Sequence, residues 1–222
     1  MNLAILYFII NLVSETTHSI WTYGGGGTDI AHFVDLTYDK NYIIVGSSNS
    51  FNDFDFDVWV LKINNRGDTI WTRTYGDKVD EYGFVIRTVR CGFIIFASKG
   101  DYVWLIKINS SGDILWTRTY DFKISWGQDF PYYPFETCYD NGFIFGCNSV
   151  DEALFVPTLV KVDSLGKIKW IRQYPFLDSS YITCIRQTCD SGYVFTTFTG
   201  GFLGDGYIIK TNSSGDTLWW RR

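Results

Sequence analysis

Four segments of the chain end in nearly the same words, and this recurrence constrains the fold more than any other feature. GDTIWTRTY spans Gly67 to Tyr75, GDILWTRTY spans Gly112 to Tyr120, GKIKWIRQY spans Gly166 to Tyr174, and GDTLWWRR spans Gly215 to Arg222. A clipped IWTYG at Ile20 to Gly24 heads the series. The tryptophans at positions 21, 71, 116, 170 and 219 are separated by 50, 45, 54 and 49 residues. Ahead of each of the last four comes an apolar run with one lysine: VWVLKIN, VWLIKIN, TLVKVD and YIIKTN. Lys62, Lys107, Lys161 and Lys210 step by 45, 54 and 49, in register with the tryptophans, so the lysine-to-tryptophan link is rigid at nine residues. Asn-x-x-Gly-Asp or a close variant lies between, with Gly for a positive φ and Asn or Asp for side-chain capping. The unit predicts a β-hairpin.

A second hairpin precedes the first in each repeat. Its turns are Asp39–Lys40–Asn41, Arg90–Cys91–Gly92, Asp140–Asn141–Gly142 and Asp190–Ser191–Gly192. The aromatic that opens the strand after each turn is Tyr42, Phe93, Phe143 or Tyr193, at steps of 51, 50 and 50. One repeat is therefore four strands in about 50 residues, the period of propeller blades. The expected fold is all-β: a β-propeller of about four four-stranded antiparallel blades, as a small closed ring or an open fragment of a larger propeller. Blades are expected at about 28–75, 79–120, 129–175 and 180–222. The 9 Trp, 15 Tyr and 18 Phe against 1 Met suit pleated, half-buried surfaces. One blade cannot bury both faces of its sheet, so the recurring Trp and Phe are expected to pack blade on blade. No window shows a helical period with caps.

The pattern W-x-x-K-x-N-x-x-G-D-x-x-W-x-x-x-Y resembles the secreted bacterial β-propeller repeat proteins. It is also similar to the quinoprotein-type, WD40-like propeller repeat, in which a turn glycine precedes a docking Trp by four residues. Gly67–Trp71, Gly112–Trp116, Gly166–Trp170 and Gly215–Trp219 keep that spacing. The resemblance covers about residues 20–222 and implies a propeller, export and, in most relatives, no assigned activity. Such relatives usually carry more repeats, and many end in a sorting domain that this chain lacks.

The first 19 residues carry a separate expectation. Leu3 to Val13 reads LAILYFIINLV, too short for a membrane helix, which needs about 20 residues. Followed by a polar stretch to Ser19, it suits a signal peptide over residues 1–19, although no Lys or Arg precedes it; a β-strand, or a start inside a longer gene, is the competing reading. An exported location is expected, in the periplasm, at the cell surface or outside the cell, with no transmembrane segment in the mature chain. Five cysteines cannot all pair, and no C-x-x-C occurs. Free, partly buried thiols are the expectation. The formal net charge of −5 argues against a nucleic-acid groove.

The irregular loops are the expected place for function. In an up-and-down blade the loops between strands two and three share one rim with the connections to the next blade. On that rim lie 48–57, 121–134, 148–157 and 175–180, which hold the length variation. Phe51 to Asp57 reads FNDFDFD and places Asp53, Asp55 and Asp57 at every second position, a candidate oxygen-ligand set for Ca²⁺. The Gly and distal Glu of an EF-hand are missing, and a solvated loop with its Phe tucked inward is the competing reading. DFKISWGQDFPYYP, Asp121 to Pro134, offers Trp126, Tyr132 and Tyr133, and these with Phe54 are the candidate ligand-binding aromatics. The competing reading is that they cap the adjacent blade. Gly24–Gly25–Gly26–Gly27 lacks the Lys-Ser/Thr and the helix of a phosphate loop and is expected to connect blades. Asp35, Glu136 and Arg186 fall at equivalent first-strand positions, where mixed charge predicts internal pairing. The expected function is a non-catalytic binding or scaffold module for a protein or glycan partner. The alternatives are a quinoprotein-like or glycosidase-like propeller enzyme and a purely structural envelope repeat. No catalytic residue and no organic cofactor are assigned.

Overall fold

The computed structural model describes residues 20–51, 55–124, 134–151, 154–177, 180–199 and 204–222. These residues form sixteen strands and one short 3₁₀ turn, with no α-helix among them. The first repeat supplies β1 (Asp29–Leu36), β2 (Tyr42–Ser48), β3 (Asp57–Ile63) and β4 (Thr69–Tyr75). The second supplies β5 (Glu81–Val89), β6 (Gly92–Lys99), β7 (Tyr102–Ile108) and β8 (Ile114–Lys123). The third has β9 (Phe135–Thr137), β10 (Phe143–Asp151), β11 (Leu154–Val162) and β12 (Ile168–Gln173), followed by the 3₁₀ turn Pro175–Leu177. The fourth has β13 (Ser180–Gln187), β14 (Tyr193–Thr199), β15 (Gly206–Thr211) and β16 (Thr217–Arg221).

The first and fourth repeats are each a four-stranded antiparallel sheet in chain order. The second and third depart from the expected separate sheets. A single bridge between Asn148 and Lys123 joins them, because β8 runs on past its repeat to Lys123. The chain divides into two compact units, Met1–Gly100 with Lys107–Leu115 and Asp101–Ile106 with Trp116–Arg222.

The local geometry follows the repeated words. Lys62 pairs directly with Trp71 across β3 and β4, Lys161 with Trp170, and Lys210 with Trp219, as a spacing of nine across a short turn requires. A register shift follows the lysine in each of these three hairpins. The first hairpin carries its own bulge, around His32, Phe84 and Thr183 in three repeats. In the turn between first and second strands the middle residue takes a positive φ in every repeat: Lys40 61°, Cys91 66°, Asn141 60° and Ser191 64°.

The β3–β4 turn and its equivalents are closed by one side chain. The Asn64 Oδ1 atom accepts the N–H groups of Arg66 and Asp68, and Asn109, Asp163 and Asn212 do the same in their turns. In the first two repeats the middle strands are the most buried. β3 is buried along its whole length, whereas β16 is exposed along its whole length.

Within each unit the first strand of one repeat packs on the inner strands of the repeat before it. In the first unit β5 lies against β1, β2 and β3; in the second β13 lies against β9, β10 and β11. The contacts are aromatic, as expected. Trp71 meets Phe93, Trp116 meets Phe143 and Trp170 meets Tyr193, with centroids 6.3, 6.3 and 5.8 Å apart. A buried tyrosine hydroxyl completes each junction. Tyr75 donates to the Gly112 carbonyl at 2.7 Å, Tyr120 to Gly166 at 2.7 Å and Tyr174 to Gly215 at 2.8 Å. The clipped segment at the start repeats the contact, with Tyr23 donating to Gly67 at 2.7 Å. Those turn glycines have φ of 76–88°, and the preceding tryptophan lies against each, crowding the space a Cβ would take.

Candidate functional site

The described residues of the first unit bring two buried carboxylates together. Asp57 opens β3 and is 1% exposed; Glu81 opens β5 and is 0% exposed. The backbone fixes both. The Glu81 N–H donates to the Phe56 carbonyl at 2.6 Å, and the Phe56 N–H donates to Asp80 Oδ1 at 3.0 Å. A methyl carbon added to Gly76 would lie 2.0 Å from Asp57 Oδ1 and 2.5 Å from Glu81 Oε2, so the two oxygens are at most about 4.5 Å apart. Asp57 Oδ1 is buried without a hydrogen-bond partner.

The surroundings give partial compensation. The Asp77 N–H lies 3.3 Å from both Glu81 oxygens. Lys99 Nζ sits 3.7 Å from Glu81 Oε1 and donates to Asp77. Burial pushes the Glu81 carboxyl up to about 7, with Asp77 and Asp57 adding to the rise and the Asp77 N–H and Lys99 opposing it. Asp57 is also raised, by burial first and then by Asp55 and Asp77. Two carboxylates this close and this dry hold one proton between them more readily than two negative charges.

The equivalent position in the first repeat shows what full compensation looks like. Asp29 opens β1 six residues after Tyr23, as Glu81 follows Tyr75. Its carboxylate accepts Gly25 N–H at 2.9 Å, Ser48 Oγ at 2.5 Å and Ser50 Oγ at 2.8 Å. The four-glycine run is thus a connection folded over Asp29, with the Gly27 N–H donating to Ser50 Oγ at 2.9 Å.

Of the expected metal set, Asp57 turns inward to Gly76 and Glu81, Asp55 is half-buried, and Asp53 lies outside the described residues. Among the described residues no group of three or more His, Cys, Asp or Glu is placed to hold a metal ion. Phe54, Trp126, Tyr132 and Tyr133 also lie outside the described residues. Of the first-strand charges two form an ion pair, whereas Asp35 accepts a backbone N–H. Arg186 donates to Glu136 at 2.9 Å, and Asp35 accepts the Thr88 N–H at 2.7 Å. All five cysteines are unpaired; Cys138 and Cys147 are buried. No helix among the described residues is long and apolar enough to cross a membrane.

Sequence reasoning missed Glu81, Asp77 and Lys99. The signal was present as the spacing from the junction tyrosine to the residue that opens the next repeat. Tyr23 to Asp29, Tyr75 to Glu81 and Tyr174 to Ser180 are all six residues. No family model matches the chain, and no curated protein matches it in sequence.

Proposed function

We propose that the four repeats are blades of a β-propeller and that the protein is a non-catalytic, exported binding or scaffold module. The observation that carries the blade reading is the recurring junction: in each unit, Trp and Tyr of one repeat close on the turn glycine of the next. A rigid stack built this way leaves the irregular loops free to vary. The partner class is a protein or a glycan, engaged through the loops at 48–57 and 121–134, where Phe54, Trp126, Tyr132 and Tyr133 supply aromatic faces. The burial of Asp57 and Glu81 closes the one carboxylate pair described above to a substrate, which favours binding over a glycosidase-like activity.

A glycan-array and protein-partner screen of the purified chain tests this reading. Trp126→Ala or Tyr132→Ala is expected to lower binding at least tenfold with the fold retained by circular dichroism. Binding unchanged by both substitutions overturns the choice of loop.

A further inference from the structure

The four repeats are internal controls for one another, and one of them lacks a partner that the others have. Lys62 donates to Asp39 at 2.7 Å, Lys161 to Asp140 at 2.9 Å and Lys210 to Asp190 at 2.8 Å. In each case the aspartate is the first residue of the turn between first and second strands. The same turn position in the second repeat is Arg90. Lys107 is only 9% exposed, and its Nζ reaches no nearer acceptor among the described residues than the Arg90 carbonyl at 3.5 Å. A buried ammonium therefore faces the Arg90 carbonyl at a place where three repeats put a carboxylate.

That place is open to solvent. The aspartate side chains that fill it elsewhere are 54%, 41% and 55% exposed, and Arg90 and Cys91 are both exposed. A carboxylate arriving from outside can thus take the position that a carboxylate of the chain takes in the other repeats. Its charge would answer Lys107, whose amine burial holds down at about 8, the Cys91 thiol acting weakly the other way. A charge-assisted hydrogen bond to an otherwise unanswered ammonium is stronger than a neutral one.

We propose that the second repeat carries a site for a small carboxylate anion, with Lys107 as its buried donor. The site belongs to the turn end of the repeat and is independent of the loop surface proposed above.

Acetate is the probe, titrated against the melting temperature of the full chain at constant ionic strength set with sodium chloride. The wild type is expected to show a saturable rise of about 3 °C. Arg90→Asp restores the counter-ion of the other three repeats. It is expected to melt higher than the wild type without acetate and to lose the response to it. Lys107→Met keeps the length of the buried stem and is also expected to lose the response. A wild type that does not respond, or an Arg90→Asp variant that responds as the wild type does, overturns the proposal.

Discussion

The Tyr120 hydroxyl donates a 2.7 Å hydrogen bond to the Gly166 carbonyl, 46 residues along the chain. The phenol is buried, and burial pushes its ionisation far above the ordinary tyrosine range. Gly166 sits at φ 76°, and a Cβ there would come within 2.8 Å of Arg118 Cγ and 3.0 Å of both Trp116 and the Tyr120 hydroxyl. One contact thus ties three words of the repeat together: the glycine that turns the chain, the tryptophan that covers it and the tyrosine that bonds it.

Tyr120→Phe removes only the hydroxyl and leaves the Gly166 carbonyl without that donor. The expected loss is about 1–2 kcal/mol. Gly166→Ala adds a strained positive φ to a clash with Arg118 Cγ and crowding against the Trp116 ring, and the expected loss is about 2–4 kcal/mol. Urea unfolding followed by tryptophan fluorescence measures both. An alanine variant as stable as the phenylalanine variant would mean that the turn relaxes and that the tryptophan does not confine it.

Trp71 and Trp219 hold the same place in the repeated word but not the same environment. Trp71 lies against the Gly112 turn, meets Phe93 and donates Nε1–H to the Ser110 carbonyl at 3.2 Å. Trp219 is 44% exposed. Trp71→Ala is expected to cost about 2–3 kcal/mol, and Trp219→Ala under about 1 kcal/mol. Equal losses in thermal unfolding would remove the junction as the source of the difference.

These junctions mark how far the sequence could be read. The lysine-to-tryptophan spacing predicts a hairpin, and the structure pairs Lys62 with Trp71 across its strands, because a short turn leaves the register no freedom. The turn triplets were legible for the same reason: a positive φ at Lys40 or Asn141 is a local matter. Asp57 was not. Alternation puts Asp55 and Asp57 on one side of an extended strand but says nothing about which side meets another sheet. The meeting of Asp57 with Glu81 depends on sheet stacking between repeats, a contact that no spacing within the FNDFDFD segment encodes. The aromatic loop around Trp126 remains a reading of composition, since its residues lie outside those described.

Lys161 and Asp140 test the value of the counter-ion that the second repeat lacks. Lys161 is 3% exposed, and Asp140 also accepts Lys169 at 3.0 Å and the Gly142 N–H at 3.0 Å. Desolvation raises the Asp140 carboxyl, but the hydrogen bonds from Lys161, Lys169 and Gly142 outweigh it and hold the group at about 2. A depressed carboxyl contributes stability above its unfolded pKa and loses it as pH falls through the folded value. Asp140→Asn is therefore expected to destabilise by about 1–3 kcal/mol at pH 7, discounted for the half-exposed carboxylate, and by much less at pH 2. Guanidinium unfolding at the two pH values measures the difference; an equal loss at both would show that charge is not what the pair contributes.

Glu81 gives the opposite sign. Its folded carboxyl titrates at about 7, above the ordinary value of 4.5, because burial and the neighbouring Asp77 and Asp57 favour the neutral form. Between those two values the folded chain holds a proton that the unfolded chain has released, so stability falls as pH rises through that window. Glu81→Gln keeps the shape and removes the titration. Relative to this variant, the wild type is expected to lose on the order of 2 kcal/mol between pH 4.5 and 8, less whatever Lys99 returns to the ionised form. Asp57→Asn removes the nearest buried charge and is expected to shift the wild-type loss to higher stability at pH 8. The measurement is the unfolding free energy of the three chains across that range. Parallel curves for wild type and Glu81→Gln would show that Glu81 stays ionised in the fold and that Lys99 and the Asp77 N–H are enough to hold it so.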